Sequence, residues 1–250
     1  MKLYGKNPVI ERIKSDPKSV RKIFIQDGFS DAEYIRRKAK QWSIPLFSIP
    51  RSKMLKIARS MNTQGILADI EDYSYIPYDE LLNLSFRKHL CLVFLDGLKD
   101  PQNLGAMIRS LACFGGFALV LPTHDSVEVT EAVLRVASGG ENFVLIAKVS
   151  NLAQAIRLAK EHGFWIAGGV VQGGQDLMKT ALTFPLSLVI GSEQKGIREA
   201  LQKLIDLPLT LPMKQAQLSF NVAQATSIFC YEITKQKNQK KASVNASSGS

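Results

Sequence analysis

The sequence predicts an α/β protein: a parallel sheet with helices on both faces, preceded by a smaller α/β unit. Two observations carry that reading. The run Leu90-Cys91-Leu92-Val93-Phe94-Leu95 is apolar on every residue, as in strands buried on both faces. After it, strand and helix patterns alternate to about residue 235, the rhythm of a parallel sheet covered by helices.

The elements follow in order. In the first block, Val20 to Ile25 alternates like a strand, and Ser30 to Trp42 reads as a charged helix opened by a serine cap. Pro45 to Ile49 is a short strand, Arg51 to Met61 a helix and Gly65 to Asp69 another strand. These place a compact unit at 1–75. The acidic, tyrosine- and proline-bearing stretch that follows reads as a linker over 76–88. In the second block, 89–235, strands are predicted at 90–95, 117–121, 143–147, 164–171, 186–190 and 207–211. Helices are predicted at 103–114, 129–137, 152–162 and 219–233. The Lys-, Gln- and Ser-rich remainder, 236–250, reads as a disordered tail.

Composition narrows the classes. The chain has 250 residues, 46% of them hydrophobic, and lacks an apolar run of the roughly 18 residues a membrane helix needs. The first residues carry no signal-peptide pattern, and three widely spaced cysteines do not make a disulfide scaffold. These features predict a cytoplasmic protein. The three histidines are scattered without metal-ligand spacing, so no metal is expected. The net charge of +10 is uneven: residues 1–60 carry 15 Lys or Arg against 5 Asp or Glu, whereas residues 86–232 carry 13 against 12. A basic end on a neutral body points to an anionic partner, nucleic acid before an acidic membrane surface.

Three stretches sit at the predicted carboxyl edge of the sheet, where open α/β folds bind ligands. Asp96 to Ser110 runs from a buried strand through Pro101 and Asn103 into a helix. Its residues Leu104, Met107, Ile108, Leu111 and Ala112 form a core stripe. Arg109 falls about 130° from the centre of that stripe, at 100° per residue. It is either a solvated arginine or a ligand-facing one, and Asn103 either a helix cap or a functional amide. In Gly191-Ser192-Glu193-Gln194-Lys195-Gly196 the glycine permits close backbone approach to a ligand, and Glu193 is either an exposed turn residue or a site carboxylate. Around Leu211-Pro212-Met213, a strand ends and a polar loop leads to Ser219-Phe220-Asn221. Ser219 reads as the cap of the last helix or as a substrate contact.

Together the three stretches resemble the SpoU (TrmH-type) family of RNA ribose 2′-O-methyltransferases, within the SPOUT superfamily. The family's first motif is Asp-x-x-x-Asp-Pro-x-Asn-x-Gly-x-x-x-Arg, here Asp96 to Arg109. Its second is Gly-x-Glu-x-x-Gly, here Gly191, Glu193 and Gly196. Its third is Pro-Met followed by Ser-Leu-Asn-Val, here Pro212-Met213 and Ser219 to Val222. Gly5-x-x-Pro8-Val9 and Gln64-Gly65-Ile66 are similar to the amino-terminal substrate-binding domain of members acting on ribosomal RNA, itself similar to ribosomal protein L30e.

The resemblance implies an S-adenosylmethionine-dependent enzyme with a carboxyl-terminal trefoil knot, acting as a homodimer on RNA, with a guanosine of 23S rRNA ahead of tRNA as target. It implies catalytic positions at Asn103, Arg109, Glu193, Ser219 and Asn221, and cofactor contacts at Gly191, Leu211 and Phe220. Phe220 stands where the family has leucine; a flat ring there either stacks on the adenosine or crowds it. Two other classes are weighed against this one. A catalytically silent RNA-binding protein on the same fold would not bind S-adenosylmethionine. A nucleotide-dependent small-molecule enzyme would need the dinucleotide fingerprint that the glycines at 168–174 do not match.

Overall fold

The structure is a computed structural model that describes residues 1–58, 62–214 and 219–247. The end of the helix predicted to Met61, residues 215–218 of the third motif region and the last three residues of the predicted tail lie outside these.

The first block is a four-stranded sheet in the order β1-β4-β2-β3. β1 is Lys2–Tyr4, β2 Val20–Gln26, β3 Leu46–Ile49 and β4 Ile66–Ile70. β2 and β3 are parallel, and the other pairings are antiparallel. Helices α1 (Lys6–Ser15), α2 (Ala32–Gln41) and α3 (Arg51–Ala58) complete it. β1 and α1 were not predicted. β1 has only three residues, and α1 is a charged helix whose buried face is Pro8, Val9, Arg12 and Ile13.

The expected linker at 76–88 contains a helix, α4 (Tyr78–Arg87). Asp79 and Glu80 lie in its first turn and Arg87 in its last, complementing the helix dipole. Leu81 and Leu82 are buried against the second sheet. Polar composition suggested a linker; a short apolar stripe with a neighbour to cover it makes a helix.

The second sheet has seven strands, all parallel, in the order β7-β6-β5-β10-β8-β11-β9. In chain order they are β5 Cys91–Asp96, β6 Phe117–Pro122, β7 Leu145–Val149, β8 Trp165–Gly169, β9 Gln175–Asp176, β10 Leu186–Gly191 and β11 Leu207–Thr210. Helices α5 (Pro101–Phe114), α6 (Glu131–Ala137), α7 (Leu152–Glu161), α8 (Glu199–Gln202) and α9 (Val222–Ser247) connect and follow them. Both faces of β5 are covered. Cys91, Val93 and Leu95 join a core with α5, α6 and α9, while Leu92 and Phe94 join one with α4 and α7. The predicted α/β class with a parallel sheet is the fold observed.

The tail expected to be disordered from residue 236 instead continues α9 to Ser247. Leu182 N donates to Gln236 Oε1 at 2.8 Å, and Gln236 Nε2 donates to Thr180 O at 3.0 Å. Lys240 Nζ donates to Leu182 O at 2.8 Å and lies 5.2 Å from the Phe184 ring centre. Lys, Gln and Ala are good helix formers, so a polar composition does not by itself argue against a helix that has a docking surface.

The two sheets share one core. Residues of β1, α1, β2 and β4 pack in the same cluster as α5, α6 and α9. Arg12 Nη2 donates to buried Glu141 at 3.1 Å, Val129 N donates to Tyr75 Oη at 2.9 Å, and Ile76 N donates to Ile146 O at 3.1 Å. A Cβ at Gly139 would lie 2.5 Å from that of Glu11. The basic block is therefore welded to the neutral one.

Candidate active site

β5 and β10 lie side by side with Asp96 opposite Gly191, so the first two motifs leave the same sheet edge together. α5 starts at once because Asp100 caps it, accepting from Gln102 N at 2.8 Å, with Pro101 at the first helical position. Asn103 is therefore not the cap. It sits in the first turn, 8% exposed, with its amide free to reach sideways.

That amide meets Glu193. Glu193 Oε1 accepts from Asn103 Nδ2 at 3.1 Å, Asn221 Nδ2 at 2.7 Å and Val222 N at 3.3 Å. Asn221 Nδ2 also donates to Asn103 Oδ1 at 3.0 Å. Three motifs that are far apart in the chain thus converge on one carboxylate oxygen. Asn221 is also the cap of α9, since its Oδ1 accepts from Ala223 N at 2.9 Å. Ser219, predicted to open that helix, lies three residues before it. An amide has two N–H donors, and both of Asn221's are engaged. Asn103 keeps one.

The loop after β10 is held by a latch that sequence reasoning did not single out. The buried Asp96 carboxylate accepts from Arg198 N at 2.8 Å and Arg198 Nε at 2.7 Å. Gln202 Nε2 donates to Ile197 O at 2.6 Å, and Gly196 N donates to Ser192 O at 2.8 Å. The available signal was Asp96 opening the first motif and an arginine two residues beyond the second. The latch folds the loop back so tightly that a Cβ at Gly191 would lie 2.0 Å from the carbonyl carbon of Gly196. Close approach is the reason for glycine there, as expected, but what approaches is the loop's own backbone.

Beside this cluster is a cavity of about 440 Å³. Its walls are the ends of β8 and β10, the folded loop, Leu211, Met213 and the start of α9. Gly191, Leu211 and Phe220 all line it, as do Glu193 and Ser219. Ile190, Ile197, Val222 and Phe229 make much of the remainder apolar, a composition typical of small-molecule sites. Asn103, Arg109 and Asn221 are outside this lining.

Arg109 stands apart. It is exposed, six residues along α5 from Asn103, or about 9 Å at 1.5 Å per residue. Among the described residues it has no side-chain hydrogen bond or ion pair within the chain. Glu193 therefore orders Asn103 and Asn221 and not Arg109.

Residues 90–231 match the SpoU rRNA methylase family. The chain belongs to that family. Residues 2–76 match the substrate-binding module of RNA 2′-O ribose methyltransferases, so both parts of the SpoU architecture are present. A Staphylococcus haemolyticus protein of the TrmH tRNA/rRNA methyltransferase family is 32% identical over 241 residues, covering 95% of this chain and 96% of its own. The Coxiella burnetii 23S rRNA (guanosine-2′-O-)-methyltransferase RlmB is 30% identical over 239 residues, covering 94% and 95%. The SpoU methyltransferase AviRb from Streptomyces viridochromogenes, crystallised with AdoMet, superposes with a TM-score of 0.79 at 20% identity over 95% of this chain and 90% of its own. At that identity the likeness is one of fold.

Proposed function

We propose that this SpoU protein transfers a methyl group from S-adenosylmethionine to a ribose 2′-hydroxyl of RNA, with a guanosine of 23S rRNA as its target. The observation that carries the reading is a cofactor-sized, largely apolar cavity lined by Glu193 and Ser219 of the second and third motifs, with Glu193 hydrogen-bonded in turn to Asn103 and Asn221. Gly191 and the loop backbone offer peptide groups, Leu211 an apolar wall and Phe220 a ring face, which suits an adenosine. The basic first block supports an RNA partner, and the similarity to RlmB along most of the chain favours 23S rRNA.

Bound there, S-adenosylmethionine supplies a methyl carbon already activated by its positive sulfur. The chain's own task is to align the ribose oxygen, worth up to about 7–11 kcal/mol in well-oriented systems. The Ser219 hydroxyl and the uncommitted amide proton of Asn103 orient that oxygen and stabilise its developing charge while its own proton passes to solvent. Asn221 and Glu193 are positioning residues, since their hydrogen bonds fix Asn103 and the start of α9. Arg109, with its planar fork, clamps a phosphate beside the reactive ribose.

We read the protein as a homodimer: Ile228 and Tyr231 of α9 are exposed next to α5, where Phe114 packs edge-on against Tyr231, and a second copy of the chain covers this face. The carboxyl-terminal part forms a trefoil knot, a reading favoured by β10 inserting between β5 and β8, both made earlier in the chain. The first block is the L30e-like RNA grip, and the protein works in the cytoplasm.

The test is tritium transfer from labelled S-adenosylmethionine to 23S rRNA and to tRNA, followed by mapping of ribose methylation. Labelled guanosine in 23S rRNA is expected. Label in tRNA alone would move the target, and no cofactor binding by calorimetry would reduce the protein to a silent RNA binder. Arg109→Lys keeps the charge but loses the fork; methylation and RNA affinity equal to wild type would end the clamp assignment.

A further inference from the structure

The small sheet has two unlike faces, because alternate side chains of a strand point to opposite sides. Leu3, Ile23, Ile25, Ile66, Ala68 and Ile70 face the large core. Tyr4, Leu67 and Ile49 lie on the other face, buried with Met54 and Ala58 of α3. α3 covers only part of that face. Next to it, Phe47 on the edge strand β3 is 48% exposed and in register with Phe24. Their rings are stacked, 5.5 Å between centres and 27° between planes. Lys22, paired with Asp69 at 3.1 Å, lies 5.6 Å from the centre of the Phe24 ring. Four residues beyond Phe47 begins α3, which carries exposed Arg51, Lys53 and Lys56 and no acidic residue.

An exposed ring on an edge strand invites unwanted association, and folds usually blunt such edges. Here it is left open, with three exposed cations on the helix that follows it in the chain, and a ring face for a base with positive charge for the backbone is the combination that binds single-stranded nucleic acid. Unpaired bases, splayed from loops and bulges, are how RNA is read when the duplex groove is too narrow for side chains.

We propose that Phe47, backed on one ring face by its cross-strand neighbour Phe24, is a stacking platform for an unpaired base of the RNA substrate, with Arg51, Lys53 and Lys56 receiving the flanking phosphates. The inference rests on the RNA-methyltransferase reading and adds to it the site on the first block that holds the substrate and the single-stranded character of what is held.

The experiment compares full-length wild type with Phe47→Leu and Phe47→Tyr. Each is titrated against a labelled 12-nucleotide oligoadenylate, against an RNA duplex of equal length and against 23S rRNA. Leucine keeps the apolar bulk and loses the aromatic face; tyrosine keeps the face. For Phe47→Leu, single-strand binding is expected to weaken by about 5- to 30-fold, duplex binding to change less than twofold, and Phe47→Tyr to match wild type. Cofactor affinity stays at the wild-type value, because the cavity walls are in the other block. Single-strand affinity within twofold of wild type for Phe47→Leu overturns the platform. So does a change of oligomeric state in that variant by sedimentation, which would make the face an interface between copies. Wild-type methylation of RNA alongside an indifferent Phe47→Leu rejects the platform alone, whereas a wild type that neither binds nor methylates RNA removes the enzymatic reading with it.

Discussion

Replacing Gly191 with alanine should weaken folding and cofactor binding together, through the same loop. The added Cβ would lie 2.0 Å from Gly196 C, 2.3 Å from Gly196 O and 2.3 Å from Ile197 N, all backbone atoms. Relief requires the 196–197 segment to retreat by more than 1 Å, to an ordinary contact of about 3.4 Å. The next residue, Arg198, is tied to buried Asp96 by two hydrogen bonds, so retreat pulls on both. Charged hydrogen bonds contribute about 1.5–3 kcal/mol each, and the guanidinium is half-exposed, so the lower end applies. Losing both costs about 3 kcal/mol, comparable with the upper range for overpacking. For a chain of this size that is a fall in Tm of about 6–12 °C. Calorimetry with S-adenosylmethionine should show at least a tenfold loss of affinity, because the displaced loop walls the cavity. Gly196→Ala is the control: its Cβ meets nothing within 4 Å, and its φ of +63° costs only about 1–2 kcal/mol. A Gly191→Ala protein with wild-type Tm and wild-type cofactor affinity would refute this account of the loop.

Three further outcomes follow from the same geometry. Glu193→Ala removes the acceptor shared by Asn103, Asn221 and Val222; kcat should fall about 100-fold, with a smaller loss of cofactor affinity because Glu193 also lines the cavity, and Glu193→Gln, which keeps an Oε1 acceptor, should recover part of it in steady-state assays. Arg12→Met strips the partner from buried Glu141 and should cost about 3–5 kcal/mol by urea titration. Burial holds the Glu141 carboxyl above its ordinary value, against the opposing pull of Arg12. The folded protein thus binds that proton more tightly than the unfolded chain does. Glu141's contribution is therefore full below the ordinary carboxylate range and lost as pH rises through the raised value, a window that Arg12→Met should extend upward. Urea midpoints that show no added loss toward neutral pH would contradict this. Changing Arg51, Lys53 and Lys56 together to serine should flatten the salt dependence of single-strand binding by about 2 log units per log unit, at about 0.7 per phosphate contact. An unchanged slope would place the phosphates elsewhere.

Some structural signals are local to a few consecutive residues and others are not. The buried strand at 91–96 and the helix beginning near Asn103 were legible because an unbroken apolar run and a 3.6-residue stripe are properties of a few consecutive residues. β1, at three residues, is too short to show a period, and it exists because β4 offers it an edge. α4 and the far half of α9 were hidden by polar composition, since their helicity depends on a surface to dock against. Capping shows the same division. Asp100, Asn103, Ser219 and Asn221 all belong to residue types that open helices, and only the register of α5 and α9 decides that Asp100 and Asn221 do so.

The sequence by itself determined the α/β class, the charge division between the two blocks and the residues that make up the three motifs, since these reside in composition, short-range period and spacing. Tertiary structure alone decided what those residues do to one another. It brought Asn103, Glu193 and Asn221 onto one oxygen, folded the Gly191 loop onto itself under the Asp96–Arg198 latch, and left Arg109 outside the cluster. The physical reason is that hydrogen bonds and steric contacts act over about 3–4 Å. Residues 90 or 118 positions apart reach that range only when neighbouring parallel strands deliver them to the same edge of a sheet.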